Sequence, residues 1–145
     1  MEHTEYDTRL AAYAAVVDDQ DRILLALWNE VDPPEWTMPG GGVEFEETPA
    51  EGCVREVREE TGYDVELVRL LDVRTFAVPP GGLRVGTNTR PFKGVQVLYE
   101  ARVVGGELRH EVDGTTAEAR WVPIAEVRDQ RRVPTVDDVL DLLGR

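Results

Sequence analysis

The chain of 145 residues has little of several things, and each shortage narrows what it can do. Cys53 is its only cysteine, so neither an internal disulfide nor a cysteine zinc site is available. Two histidines, His3 and His110, show no metal-ligand or triad spacing and read as surface residues. No apolar run approaches the length of a bilayer span, and the N-terminus lacks a signal-peptide pattern. A cytoplasmic domain with no membrane partner is therefore expected. Basic residues number 16 against 29 acidic ones, a formal net charge of -13. That balance argues against bulk nucleic acid and anionic membrane surfaces, which are held mainly by neutralising phosphate charge. Lysine is nearly missing: Lys93 is the only one, and the other basic residues are arginines, the type suited to bidentate phosphate contacts.

What is present suffices for a core. Hydrophobic residues make up 41% and charged residues 31%, and the length fits one domain over 1–145, with no repeat and no linker. Residues 11–17 and 22–28 read as paired strands around the polar turn 18–21. Residues 65–78, 94–104 and 119–122 read as further strands, and 79–92 as a long loop. Helices are expected over 48–61 and 135–143, giving an α+β layered domain.

The first helix is sharply marked. Thr48 can cap it, Pro49 suits its first position, Glu51 completes a capping box, and Gly62 stops it. Ala50, Val54, Val57 and Thr61 form a narrow stripe able to pack on a sheet, while Glu56, Glu59 and Glu60 gather on another side. Gly52 lies one turn before Glu56, leaving room for something to approach. Glutamates at this spacing repel one another by a few tenths of a kcal/mol per pair, ~0.2–0.5 if exposed. A hard divalent cation such as Mg²⁺ or Mn²⁺ would turn that repulsion into binding. On the helix alone, a solvated acidic face satisfies the pattern equally well.

Upstream stands Gly40-Gly41-Gly42, which by itself reads as a turn or as a loop that a ligand approaches closely. As one unit the segment runs Gly41, five residues, Glu47, seven residues, Arg55-Glu56-Val57, one residue, Glu59-Glu60, one residue, Gly62-Tyr63. This resembles the signature of the Nudix hydrolase superfamily, with every fixed position present. Tyr63 departs from the usual aliphatic residue and reads as a packing variant. The segment from Glu118 to Trp121 also resembles one common near the end of Nudix domains.

The resemblance implies an α/β/α sandwich around a mixed sheet and a hydrolase cleaving a diphosphate linkage in a nucleoside diphosphate derivative. Nucleotide sugars, ADP-ribose, dinucleoside polyphosphates and modified nucleoside triphosphates are the substrate classes it brings, with Mg²⁺ or Mn²⁺ as cofactor. Carried over by position, Glu56, Glu59, Glu60 and the Gly40 carbonyl would ligate metal. Arg55 would orient the carboxylates, and Glu47 would brace loop and helix. The general base would be Glu56 or Glu59, with Glu100, Glu107, Glu111 and Glu118 as later candidates. Family members are often homodimers. A Nudix-like sensor that binds a nucleotide without cleaving it is the alternative. An isomerase sharing the fold would need a catalytic cysteine and a longer chain.

Residues on the substrate side are only weakly marked. Trp28, Trp36 and Phe76 could stack on a base, although aromatics more often lie in the core. Arg9, Arg74, Arg84, Arg90 and Lys93 are the cations to test for phosphate contacts, and Glu111 and Glu118 are further substrate-side candidates.

Overall fold

Alternation along β1 (Asp7–Val16) and β2 (Arg22–Trp28) divides their side chains between two cores rather than between core and water. Ala15, Ile23 and Leu25 point one way, and Ala12, Ala14, Val16 and Leu24 the other. Strands buried on both faces belong at the centre of a sandwich. A computed structural model describes residues 1–109 and 116–145 of the chain. It contains, in order, β1, β2, β3 (Glu35–Thr37), β4 (Gly40–Gly42), α1 (Pro49–Thr61), β5 (Tyr63–Val78), β6 (Phe92–Gly106), β7 (Thr116–Pro123), a 3-10 turn (Ile124–Asp129) and α2 (Pro134–Leu142).

The strands form two sheets. A mixed four-stranded sheet runs β4-β1-β6-β5, with β1 parallel to β6 and the outer pairs antiparallel. An antiparallel three-stranded sheet runs β3-β2-β7. The expected pairing of the first two strands is corrected here. They lie in different sheets, joined by a single bridge between Val17 and Ile23, because β1 takes β6 and β4 as neighbours while β2 takes β3 and β7. The glycine run, expected as a turn or loop, is the edge strand β4.

Helices close both sides. Cys53 and Val57 of α1 pack with Ala12, Ala14, Val16, Leu24 and Val97, while Val136, Val139 and Leu140 of α2 pack with Ala15, Ile23, Leu25 and Leu98. The small β1 side chains let α1 approach closely. The buried face of α1 is therefore rotated from the expected stripe: Cys53 and Glu60 are enclosed, whereas Ala50 and Val54 are only half-buried. Tyr63 explains its own departure from the motif, since its hydroxyl accepts from the Trp121 indole at 3.0 Å and the two rings pack 5.9 Å apart. Among the described residues no helix is long and apolar enough to cross a membrane.

Candidate active site

The helix begins as its sequence requires. Thr48 Oγ1 accepts from the Glu51 amide at 3.2 Å, Glu51 Oε1 accepts from the Thr48 amide at 3.0 Å, and Gly62 ends the helix in the left-handed region at φ 83°. Rigid ends place the carboxylates of α1 at a fixed height beside β4.

Arg55 joins the loop to the helix. Its guanidinium donates to Glu47 at 2.7 and 2.9 Å, to Glu56 at 3.0 Å, to Glu59 at 3.2 Å and to the Gly42 carbonyl at 3.1 Å. Glu47 also accepts from the Glu44 amide at 2.9 Å, fixing the loop between β4 and α1. The Arg55 hydrogen bonds hold the Glu47 carboxyl below the usual carboxylate range. Gly52 leaves room, as its missing side chain suggested, but the loop fills it: a Cβ there would stand 3.3 Å from both Glu47 and Val43.

Glu56 and Glu60 both meet the glycine strand, Glu56 at Gly41 and Glu60 at Gly40. A Cβ on Gly41 would lie 2.9 Å from the Glu56 carboxyl carbon, so that carboxylate rests directly on the backbone. The Gly40 amide donates to Glu60 Oε2 at 3.3 Å, and Glu60 is 3% exposed. Burial raises the Glu56 pKa above its ordinary value; Arg55 opposes the shift, and the neighbouring Glu59 charge adds to it. Glu59 stands apart, turned toward Arg55 with its side chain 48% exposed. Among the described residues no three acidic, histidine or cysteine side chains converge as a metal-binding group. Two adjoining carboxylates and a backbone cradle closed to any larger residue nonetheless suit a hard cation, which takes oxygen ligands.

From this acidic end a cleft of about 600 Å³ opens along the face of the four-stranded sheet. Gly40, Gly41, Glu60, Arg9 and Tyr13 line its near end; Trp28, Phe76, Val78, Phe92 and the 82–85 stretch of the long loop line the rest. A family model, that of the NUDIX domain, matches residues 7–143.

The chain belongs to the Nudix family.

It is 32% identical over 144 residues to the "Putative mutator protein MutT4" of Mycobacterium tuberculosis, a match covering 94% of this chain and 50% of that protein. With the "Putative 8-oxo-dGTP diphosphatase" of Bacillus subtilis it shares 34% identity over 113 residues, 77% of this chain and 64% of the relative. The chain thus spans one half to two-thirds of the length of these relatives. Its fold is similar to that of a NUDIX hydrolase from Nitrosomonas europaea, with a TM-score of 0.78 at 22% identity over 95% of this chain and 89% of that one. Nudix proteins generally use divalent metals.

Within this Nudix domain the substrate-side residues divide. Arg9 lines the cleft, its Nη2 3.2 Å from where a Cβ on Gly42 would stand. Beside it, burial raises the Tyr13 hydroxyl pKa, Arg9 opposes the shift, and Glu60 and Glu56 add to it. Trp36 does not reach the cleft: it is 6% exposed in the α2-side core, beneath the Arg120 guanidinium. Its neighbour in sequence logic, Trp28, lines the wall instead, because the turn between β2 and β3 brings the two tryptophans to different environments. Arg74 is engaged by Asp72 at 3.1 Å and Asp138 at 2.6 Å, and Arg90 by Asp7 at 3.1 Å and the Thr4 carbonyl at 2.7 Å. Neither lines the cleft. Glu118 pairs with Arg120 on β7 and Glu100 with Arg69 on β5, both away from the cleft lining. The Glu107 backbone lies against the end of α1, and Glu111 lies outside the described residues. Lys93 stands over the Tyr6 ring at 4.9 Å. Cys53 is fully buried in the core against α1's sheet, where desolvation, with the Glu60 and Glu56 charges adding, pushes its thiol up to about 12.

The long loop brings one of the expected cations to the cleft, held by a partner that the sequence does not mark. Arg84 lines the cleft, stacks 5.4 Å over Trp28 and donates to both oxygens of Glu35 at 3.0 Å. Glu35 is buried on β3 and also meets Arg131 at 3.5 Å. No spacing in the chain links positions 35 and 84.

Proposed function

We propose that this Nudix domain, acting as one unit over 1–145, hydrolyses a diphosphate linkage in a nucleoside diphosphate derivative by attack of water at phosphorus. The observation that supports the reading is one cleft with Glu60, the Gly40-Gly41 backbone and Arg9 at one end, where Glu56 rests against Gly41, and aromatic walls at the other. A ligand matching it is polyanionic at one end and flat and apolar at the other. In this proposal Glu56 and Glu60, with Glu59 and the Gly40 carbonyl, hold Mg²⁺ or Mn²⁺. The bound ion supplies charge neutralisation and a water of lowered pKa.

The protein's own groups supply the rest. Arg55 and Glu47 fix loop against helix, so the carboxylates need not reorganise as charge develops. Arg9 faces the same space and offers a cation to the phosphoryl oxygens. In this proposal Glu56 or Glu59 takes the proton of the attacking water. Glutamine at each position separates them: the base is the one whose loss costs more turnover at saturating Mg²⁺ or Mn²⁺, where metal occupancy is restored.

A panel of ADP-ribose, nucleotide sugars, dinucleoside polyphosphates and oxidised deoxynucleoside triphosphates tests the reading, with phosphate and monophosphate release measured in Mg²⁺ or Mn²⁺. Cleavage of at least one class is expected, with complete loss in EDTA. Persistence in EDTA would overturn the metal assignment. Binding without cleavage throughout would replace hydrolysis by a sensor role.

A further inference from the structure

The floor of the cleft is an aromatic plate with an amide beside it. Gly94 of β6 pairs with Phe76 of β5 and Arg9 of β1, and Gln96, two residues on, pairs with Arg74 and Ala11. Residues paired across strands share a face, as do positions two apart along a strand. A Cβ on Gly94 would lie 2.1 Å from the Phe76 ring, so that ring lies across bare backbone. Phe92 tilts against it at 6.2 Å, and Trp28 contributes from the other sheet.

On the next rung Gln96 is half-buried and lines the same cleft. Of its two flanking residues, Ala11 offers only a methyl group, and Arg74 is occupied by Asp72 and Asp138. No hydrogen bond from the Gln96 carboxamide to another described side chain or backbone group is formed, while neighbouring polar side chains are paired. No buried side-chain polar atom among the described residues lacks a partner, so this carboxamide is satisfied by solvent in the open cleft. An amide with one acceptor and two donor hydrogens beside an aromatic plate has an unused recognition capacity.

The geometry points to Gln96 as a specificity-determining residue that reads the edge of a heterocycle stacked on Phe76. Its ligand is a nucleobase edge presenting a hydrogen-bond donor next to an acceptor, to which a carboxamide bonds in bidentate fashion. This rests on the nucleoside reading above and deepens it: Phe76 accepts any flat ring, and Gln96 distinguishes among rings. A base that turns two neighbouring acceptors toward Gln96, as guanine does with N7 and O6, leaves one amide group facing its like and is disfavoured.

The experiment titrates AMP, GMP, CMP, UMP and ribose 5-phosphate into the protein with Mg²⁺, following tryptophan fluorescence. Wild type is expected to prefer one base over the weakest by about tenfold, the size of a good bidentate pair. Gln96→Leu should collapse that preference while leaving ribose 5-phosphate binding unchanged. Gln96→Glu, which keeps the size but only accepts, should move the preference toward bases with exposed amino groups, and it decides the matter if the leucine variant does not fold. Equal affinities in wild type, no binding of any base, or a preference that survives both substitutions would overturn the inference. The two readings fail separately. A Gln96-dependent preference without cleavage of any diphosphate removes only the hydrolase; cleavage with a preference indifferent to Gln96 removes only this inference.

Discussion

At the acidic end of the cleft Gly41, Glu47, Arg55, Glu56 and Glu60 come from one stretch of twenty residues and are tied together through one guanidinium and one glycine strand. At the aromatic end Trp28, Phe76, Arg84, Phe92 and Gln96 come from β2, β5, β6 and the loop between the last two, and meet only because the sheets bring them together. The first end is held by short hydrogen bonds within one helix and its preceding loop. The second is held by stacking and by ion pairs between distant segments. An end that must hold charge in fixed geometry gains from local rigidity, whereas an end that selects a ring can be varied one wall at a time.

The strongest way to break this comparison is at the acidic end. Glu56→Gln should lower kcat by about 10²–10⁴-fold, within the range for losing an acid–base or charge-holding group, with little change in binding of a nucleoside monophosphate. Steady-state kinetics in Mg²⁺ alongside a fluorescence titration checks both halves. A fall in base affinity equal to the fall in kcat would show that the two ends are not separable.

Next in size is the contrast between the two tryptophans. Trp36→Ala removes a core side chain and should cost about 3–5 kcal/mol in urea unfolding. Trp28→Ala should leave stability nearly intact and raise KM about two- to tenfold, in keeping with a lost aromatic contact. The reverse pattern would exchange their roles.

The smallest effect concerns Glu35. Hydrogen bonds from Arg84 hold its carboxyl below the ordinary value, so the folded protein keeps this group ionised where the unfolded chain would protonate it. Its contribution is therefore present above the ordinary carboxylate range and is lost as pH falls through the lowered value. Because Arg84 is half exposed, Glu35→Gln should cost about 1 kcal/mol at pH 7, the upper end for exposed pairs. That difference should begin to shrink as pH falls through the ordinary carboxylate range, about 4, and be gone only beneath the lowered value. A difference that grew on acidification would contradict the assignment.

How far the fold was legible follows the same division. The capping box, Pro49 and Gly62 act within a few residues of their partners, and the helix stands where they put it. The partners of Arg55 lie within thirteen residues of it, and the motif spacing anticipates them. A polar turn between two apolar runs signals a hairpin only when both runs share a sheet, and β1 and β2 do not. Trp28 and Trp36 could not be told apart by sequence, since both flank one loop and their environments depend on which sheet face each strand presents.

The sequence by itself determined the family, the helix with its caps, and the composition of the acidic end, because those depend on interactions between near neighbours in the chain. Tertiary structure alone decided that Glu59 turns aside while Glu60 is enclosed, that Arg74 and Arg90 are occupied elsewhere, and that Gln96 lines the cleft. Those outcomes depend on which side chains arrive from distant strands, and burial and pairing are set only once the sheets have closed around them.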